Sequence, residues 1–437
     1  MSTKRELFIF SASDINAMEE HFEQMARKGW MLDKVGEYLV RYKRIEPREL
    51  KFCIDLFPKL SVFDYPNNSD VLKYRNPYID SGWNFLVASN KFQVFYSQKE
   101  DDLPSIQTDE REKQSIINKS LLSEMVIFTI CLLIFIWNLY RLSPVNYNRF
   151  KSNTGIVTAI IGPVFIIPTV VYIFSYGFWM IRAKIAIKNG EKLPKTSYKS
   201  LRFRTLLLLY PALILQILLI IASIADLING DFFGVFLVLP IAVGYTAGIL
   251  FKKNKNKRKR SKDKNIVLFI IIIVLIVIVV NIIITKLYGI IDSRGSQELQ
   301  EGYKGLTLND FNHMNSDYSN FYWERSVLLP KVSIYYEKSS GENRDYVRTE
   351  YIKAINNEMA KYVFDGMVKE GVVKYNRTVT PASMNYDYFN EAFFIDYADN
   401  DRSVILLKDN EIFYIESKFD LSDEDNINII VNKLDNY

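Results

Sequence analysis

The side chains best grouped for chemistry are four aspartates near the carboxyl end, Asp396, Asp399, Asp401 and Asp409, which fall at two short turns. Carboxylates gathered in this way can hold Ca²⁺, a hard cation that takes oxygen ligands. Acidic residues at hairpin turns are more often simply solvated, so no metal site is expected there. The two histidines, His21 and His313, lie far apart, as do the two cysteines, Cys53 and Cys131. Neither a histidine-based zinc site nor a Ser-His triad can be assembled from them, and no disulfide framework is available. There is no Gly-x-x-x-x-Gly-Lys loop and no Gly-x-Gly-x-x-Gly fingerprint. The sequence therefore points away from an enzyme and requires no cofactor.

Charge is unevenly distributed along the chain. Residues 1–120 carry a net −1, residues 121–285 a net +15, and residues 286–437 a net −9. The basic excess sits between apolar stretches, where positive-inside bias places it, and this excludes a nucleic-acid partner. Five stretches have the length that a bilayer demands, at about 121–140, 156–178, 205–225, 232–251 and 266–285. The loop holding Arg182, Lys184, Lys188 and Lys192 is strongly basic, and so is the run through Lys252, Lys253, Lys255, Lys257, Arg258, Lys259 and Arg260. Both are expected inside the cell, touching anionic lipid. Five spans then place the amino terminus in the cytoplasm and the carboxyl terminus outside. The loop Arg141–Lys151 carries three positive charges on the outer side, a mild violation of the rule. Glu124 interrupts the first span, and Glu124 and Asp226 both fall near span ends, so no intramembrane transport path is marked.

The two soluble regions carry alternation typical of α+β domains. In residues 1–100 a helix-plus-hairpin pattern occurs twice. The first copy runs through Met18, Phe22 and Met25 to Lys28-Gly29-Trp30 and on through Leu50–Leu56; the second runs from Ser69 to Gly82-Trp83 and the hairpin ending near Ser97. A glycine after a last helical turn fits a left-handed cap, and Phe92, Val94 and Tyr96 alternate as one buried strand face. A single antiparallel sheet of ferredoxin-like type is expected, with Trp30 and Trp83 in its core. Residues 101–120 and 286–305 are expected as linkers.

Over residues 4–98 the chain resembles the bacterial family called domain of unknown function 2812. The resemblance rests on Met25-Ala26-Arg27-Lys28-Gly29-Trp30, Gly36-Glu37-Tyr38, Glu46-Pro47, Ile54-Asp55 and Gly82-Trp83. It implies a Firmicute-type protein with a cytoplasmic role beside PadR-like regulators, and it brings no catalytic residues.

Residues 306–437 are expected to form a second α+β domain. Its elements are a strand-pair element at 327–337, a long helix at 346–370, strands at 392–397, 403–408 and 411–417, and a last helix capped by Ser422. Tyr335, Tyr336, Tyr386, Tyr388, Phe389, Phe393 and Phe394 could line a groove, although core packing is the commoner use of such residues. The architecture expected is thus an α+β domain, a five-span helical bundle and a second α+β domain. A sensory or regulatory membrane protein with a protein or peptide partner fits it best. A protective or transport-accessory protein acting against an envelope-active peptide stays open, as does a lipid-directed membrane enzyme.

Overall fold

The computed structural model describes residues 2–435 apart from 8, 10, 37–38, 58–62, 65–68, 90, 99–102, 104–108, 258–259, 293–302, 312–315, 340–344, 376, 383–387 and 397–401. The chain divides into two compact units. One holds Met1–Ile136, Pro163–Ile214 and Val243–Ile276, and the other holds Trp137–Gly162, Leu215–Ala242 and Val277–Tyr437.

In the first unit the duplication is real, but its boundaries differ from those expected. Strand β1 (Thr3–Leu7), helix α1 (Ile15–Arg27) and strands β2 (Trp30–Val35) and β3 (Leu39–Arg44) form one copy; β4 (Leu50–Leu56), α2 (Ser69–Asp80), β5 (Asn84–Ser89) and β6 (Phe92–Gln98) form the other. Each copy builds its own three-stranded antiparallel sheet, ordered β1-β3-β2 and β4-β6-β5. The single ferredoxin-like sheet is therefore corrected to two. Leu50–Leu56 opens the second copy instead of closing the first, because it pairs with β6 along its whole length.

The copies match in detail. Gly29 (φ 79°) and Gly82 (φ 93°) both adopt the left-handed conformation that lets the chain leave a helix and enter a strand. Both hairpins shift register two residues past the tryptophan, between Leu32 and Lys34 and between Phe85 and Val87. Trp83 is buried as expected, at 2% exposure, whereas Trp30 is only half-buried, with the Arg44 guanidinium 5.0 Å above its ring. Lys28 is exposed at the α1 terminus.

In the second unit, β7 (Ser316–Glu324), β8 (Lys331–Ser339), β9 (Tyr346–Lys353), β10 (Thr378–Pro381), β11 (Glu391–Asp396), β12 (Arg402–Lys408) and β13 (Glu411–Ser417) form one antiparallel sheet in the order β10-β11-β12-β13-β9-β8-β7. The long helix expected at 346–370 is corrected to strand β9 followed by a helix at Asn357–Tyr375. Tyr351, Ile355 and Met359 fit helical spacing, but Val347, Thr349 and Tyr351 fit two-residue alternation equally well. Pairing on both edges of β9 decides for the strand.

The helix Asn357–Tyr375 buries Val363 and Phe364 against one sheet face, and the last helix, Glu424–Asp435, buries Ile430 and Leu434 against the other. Ser422 is not the cap of that last helix. Its Oγ donates to Asp420 Oδ1 at 2.6 Å and accepts from Arg402, and Asp423 stands immediately before the helix.

In the sequence between these domains lie five long helices: α3 (Glu110–Leu139), α4 (Asn153–Lys188), α5 (Tyr198–Ile228), α6 (Phe233–Lys257) and α7 (Lys262–Asp292). With them numbered, the helices Asn357–Tyr375 and Glu424–Asp435 become α8 and α9. α3 begins inside the stretch expected as a linker. Four segments are long and apolar enough to cross a membrane, Glu110–Leu142, Asn153–Lys188, Tyr198–Ile228 and Lys262–Ile283, among the described residues. Their apolar windows are only 6% to 28% buried, so residues such as Ile127 and Leu275 present surface that lipid tails would cover. This is the make-up of a multi-pass membrane protein. The helix α6 coincides with the expected fourth span but is not among those four.

Candidate functional site

The geometry suited to binding lies in the second unit. Strand β9 alternates: Val347, Thr349 and Tyr351 are buried on the side of α9, while Arg348, Glu350 and Ile352 point to the side of α8. On that second side a cavity of about 570 Å³ opens. Its charged wall contains Lys151, Glu324, Arg348, Glu350, Glu370 and Arg377, with Glu416 beside them, and its aromatic wall contains Tyr147, Tyr322 and Tyr414. Two neighbouring spaces share its walls. One of about 430 Å³ shares Tyr322, Arg348 and Glu416 and adds Tyr336 and Tyr346. The other, of about 420 Å³, shares Lys151, Glu324 and Glu370 and adds Arg149 and Asp231.

At the centre stands Lys151, with 8% of its side chain exposed. Its Nζ lies 2.6 Å from Glu350 Oε1, which is itself buried, and 4.0 Å from Glu324 Oε2. The Tyr147 ring covers it at 5.3 Å. Arg348 bridges on, its guanidinium 3.8 Å from Glu350 Oε2 and 3.8 Å from Glu416 Oε2, and Tyr414 donates its hydroxyl to Glu416 at 3.2 Å. Burial raises the Glu324 carboxyl above its ordinary pKa against the pull of Lys151, with Glu350 and Asp231 adding to the rise. Burial would depress Arg348, but Glu350 reverses the sign and its pKa is raised.

Lys151 comes from the short connector between α3 and α4, a 3-10 segment at Pro144–Lys151. The sequence pattern makes this loop a mild violation of the positive-inside rule; of its three cations, Lys151 is buried and paired with Glu350. The connector is seated in the second unit along its length. Tyr362 donates to Leu142 O, Ser326 Oγ donates to Phe150 O, and the Val327 amide donates to Asn153 Oδ1 at 2.9 Å. Gly366 is required where it stands, because a Cβ there would meet Pro144 O at 2.1 Å.

The start of α4 is held just as firmly. Asp226, fully buried near the end of α5, accepts from the Asn153 amide at 2.9 Å, the Asn153 side chain at 2.7 Å and the Thr154 amide at 2.7 Å. An acid at a helix N-terminus satisfies its unpaired amides and complements its dipole. That is the role of Asp226 at the end of α5.

The other residues singled out by sequence are dispersed. Asp396 pairs with Arg402 at 2.6 Å, Asp409 sits in a tight turn at φ 50°, and Asp399 and Asp401 lie outside the described residues. No group of three potential metal ligands occurs among the described residues. Tyr335, Phe389 and Phe394 are core residues, and Tyr336 alone of the aromatic set borders the cavity system; Tyr386 lies outside the described residues. His313 also lies outside them. Cys53 and Cys131 are free.

Arg182, Lys184, Lys188, Lys192, Lys252 and Lys253 are exposed at helix ends, and Arg260 is half-exposed. Residues 258–259 and the side chains of Lys255 and Lys257 are outside the described set. The first basic loop meets the amino-terminal domain within the first unit. Arg204 Nη2 pairs with buried Asp14 at 2.5 Å, and the Tyr198 ring stacks on His21 at 4.0 Å. Beside the second basic run, Asn265 donates to Phe63 O at 2.9 Å.

Residues 14–131 match the family described as Protein of unknown function (DUF2812), which bears out the resemblance read at Lys28-Gly29-Trp30 and Gly82-Trp83 and extends it into α3. No curated protein and no solved structure matches the chain.

Proposed function

We propose that this membrane protein is a sensor: the cavity of the carboxyl-terminal domain takes up a ligand outside the cell, and the connector between α3 and α4 carries its state inward to the amino-terminal domain. The observation that carries this reading is that the central cation of the cavity, Lys151, belongs to the connector, as Tyr147 does, whereas its acidic partners Glu350 and Glu324 belong to the carboxyl-terminal sheet. A ligand that disturbs the Lys151–Glu350 pair acts directly on the entry to α4, whose first amides are clamped by Asp226. The helix α4 is continuous over 36 residues and ends at the basic loop that holds Arg204 against Asp14.

The topology belongs to the same proposal. Phe233–Leu250 within α6 has no charged residue and is long enough to span, which makes five crossings and separates the two ends. Both basic loops meet the amino-terminal domain, whereas the connector meets the carboxyl-terminal one, which suits opposite faces. Lipid head groups are the partners of the basic loops, and the reading requires binding without catalysis.

Hydrogen exchange on the full chain in lipid nanodiscs tests the coupling, comparing the wild type with Glu350→Gln. Faster exchange at 144–151 together with 182–204 is expected. Changes confined to 316–417 would refute transmission and favour a protein that only binds.

A further inference from the structure

We infer that the cavity is a receptor for a primary ammonium group, and that Lys151 is the occupant the chain supplies until a ligand amine displaces it. The inference rests on the cavity being the ligand site of the sensor proposed above. The surroundings of Lys151 Nζ form a cage on three sides: Glu350 Oε1 at 2.6 Å, Glu324 Oε2 at 4.0 Å and the face of the Tyr147 ring at 5.3 Å. Two carboxylates and an aromatic face match a compact, strongly hydrated point charge and give it both ion pairing and cation–π attraction.

A purely structural ion pair would be closed in by packing, whereas this one borders about 570 Å³ of open space. The charge count also favours exchange. With Lys151 in place the described cavity wall has three cations and four carboxylates; with Lys151 withdrawn, Glu324, Glu350, Glu370 and Glu416 outnumber Arg348 and Arg377, and the adjoining space adds one charge of each sign, Arg149 and Asp231. The emptied cage is net negative and draws in another cation. The wider domain, net −9 over residues 286–437, steers cations in the same sense. Tyr322, Tyr336 and Tyr346 continue the wall into the adjoining space, which suits a ligand longer than one ammonium.

The ammonium can come from a free polyamine or from a lysine side chain of a peptide, and the probes separate these. The full-length protein in nanodiscs is studied by thermal unfolding and calorimetry, with spermidine and a trilysine peptide as ligands and n-butylammonium as a copy of the lysine side chain. Lys151→Ala is expected to unfold at a lower temperature and to be restored by n-butylammonium but not by n-butanol, which has the same shape without the charge. The double variant Lys151→Ala/Glu350→Ala is expected to gain nothing from the amine. Equal rescue by n-butanol, or none by either, overturns the inference.

If Lys151→Ala does not fold, the wild type decides. Spermidine or trilysine is expected to bind it about tenfold more tightly than Glu324→Gln, raising the melting temperature by mass action. Absence of binding by both overturns the inference. Tighter binding of trilysine than of spermidine identifies a peptide source, and the reverse a free amine. Amine binding with no change of exchange at 182–204 would leave the ammonium site standing and refute the sensor instead.

Discussion

Each unit holds one cation from the membrane helices or their connector against a buried acid, and the two pairs are set up differently. In the first, Arg204 meets Asp14 at 2.5 Å with both side chains buried. In the second, Lys151 meets Glu350 at 2.6 Å with similar burial, but the pair forms the wall of a large cavity and has a second acid, Glu324, 4.0 Å away. The Arg204 pair fastens a domain to its helices; the Lys151 pair is an attachment that a competing cation can enter. The same contrast extends to other acids. In the amino-terminal domain Glu19 accepts from the Ile54 amide at 2.7 Å and Glu23 from the Phe52 amide at 3.4 Å, so α1 closes the free edge of β4. In the carboxyl-terminal domain Glu324 of β7, Glu350 of β9 and Glu416 of β13 line open space. Ion pairs of equal geometry thus serve fixation or exchange according to what surrounds them.

The largest expected effects break this comparison at its two pairs. Removing one partner of a buried pair leaves the other charge uncompensated, which costs about 3–5 kcal/mol. Arg204→Ala and Lys151→Ala should each lose stability on that scale, read by hydrogen exchange within the affected unit. Only the second should recover with a small amine, and recovery of Arg204→Ala would erase the distinction.

The tryptophans sharpen the comparison within the duplicated domain. Trp83→Ala empties a core position and should cost about 3–5 kcal/mol. Trp30→Ala removes a half-buried ring and its cation–π partner, for about 1–2 kcal/mol. Unfolding midpoints of the two variants check this, and equal losses would mean that the copies bury their tryptophans alike.

Gly29→Ala should cost about 1–2 kcal/mol for the left-handed backbone alone. A Cβ there would also stand 2.8 Å from Ile45 O, so the loss should exceed that of Gly82→Ala, whose nearest neighbour is the movable Leu103 side chain at 3.1 Å.

A further effect is one of pH. Burial raises the Glu19 carboxyl from 4.5 to about 7, so the folded state binds its proton more tightly than the unfolded chain does. The resulting penalty is absent below about pH 4.5, grows as pH rises and is complete above about 7. Glu19→Gln, whose carbonyl can still accept from Ile54, should raise the amino-terminal domain's stability at pH 8 and leave it unchanged at pH 4. Equal stability of variant and wild type at pH 8 would contradict this.

Much of the fold was legible because local patterns and global packing agree. Met18, Phe22 and Met25 mark α1, Phe92, Val94 and Tyr96 mark β6, and charge-free stretches mark the long helices. The strand β9 was not, since Tyr351 satisfies two periodicities and only its partners β8 and β13 choose between them. The cavity was illegible for a different reason. Its key pair joins residues 199 positions apart, and neither Lys151 nor Glu350 belongs to a motif. The one trace in the sequence was the misplaced positive charge of the Arg141–Lys151 loop, which reads as a topology anomaly until its partner is known.

Coupling of an outer cavity to an inner domain requires the two domains to face opposite sides of the membrane, as an odd number of crossings would place them. Reporter fusions at the amino terminus and after Tyr437, assayed in intact cells, measure this directly. The expected result is a carboxyl-terminal reporter active only as an exported enzyme and an amino-terminal reporter active only in the cytoplasm. Both reporters active on the same side would mean that α6 or α3 does not cross, and would contradict the coupling of an outer cavity to an inner domain.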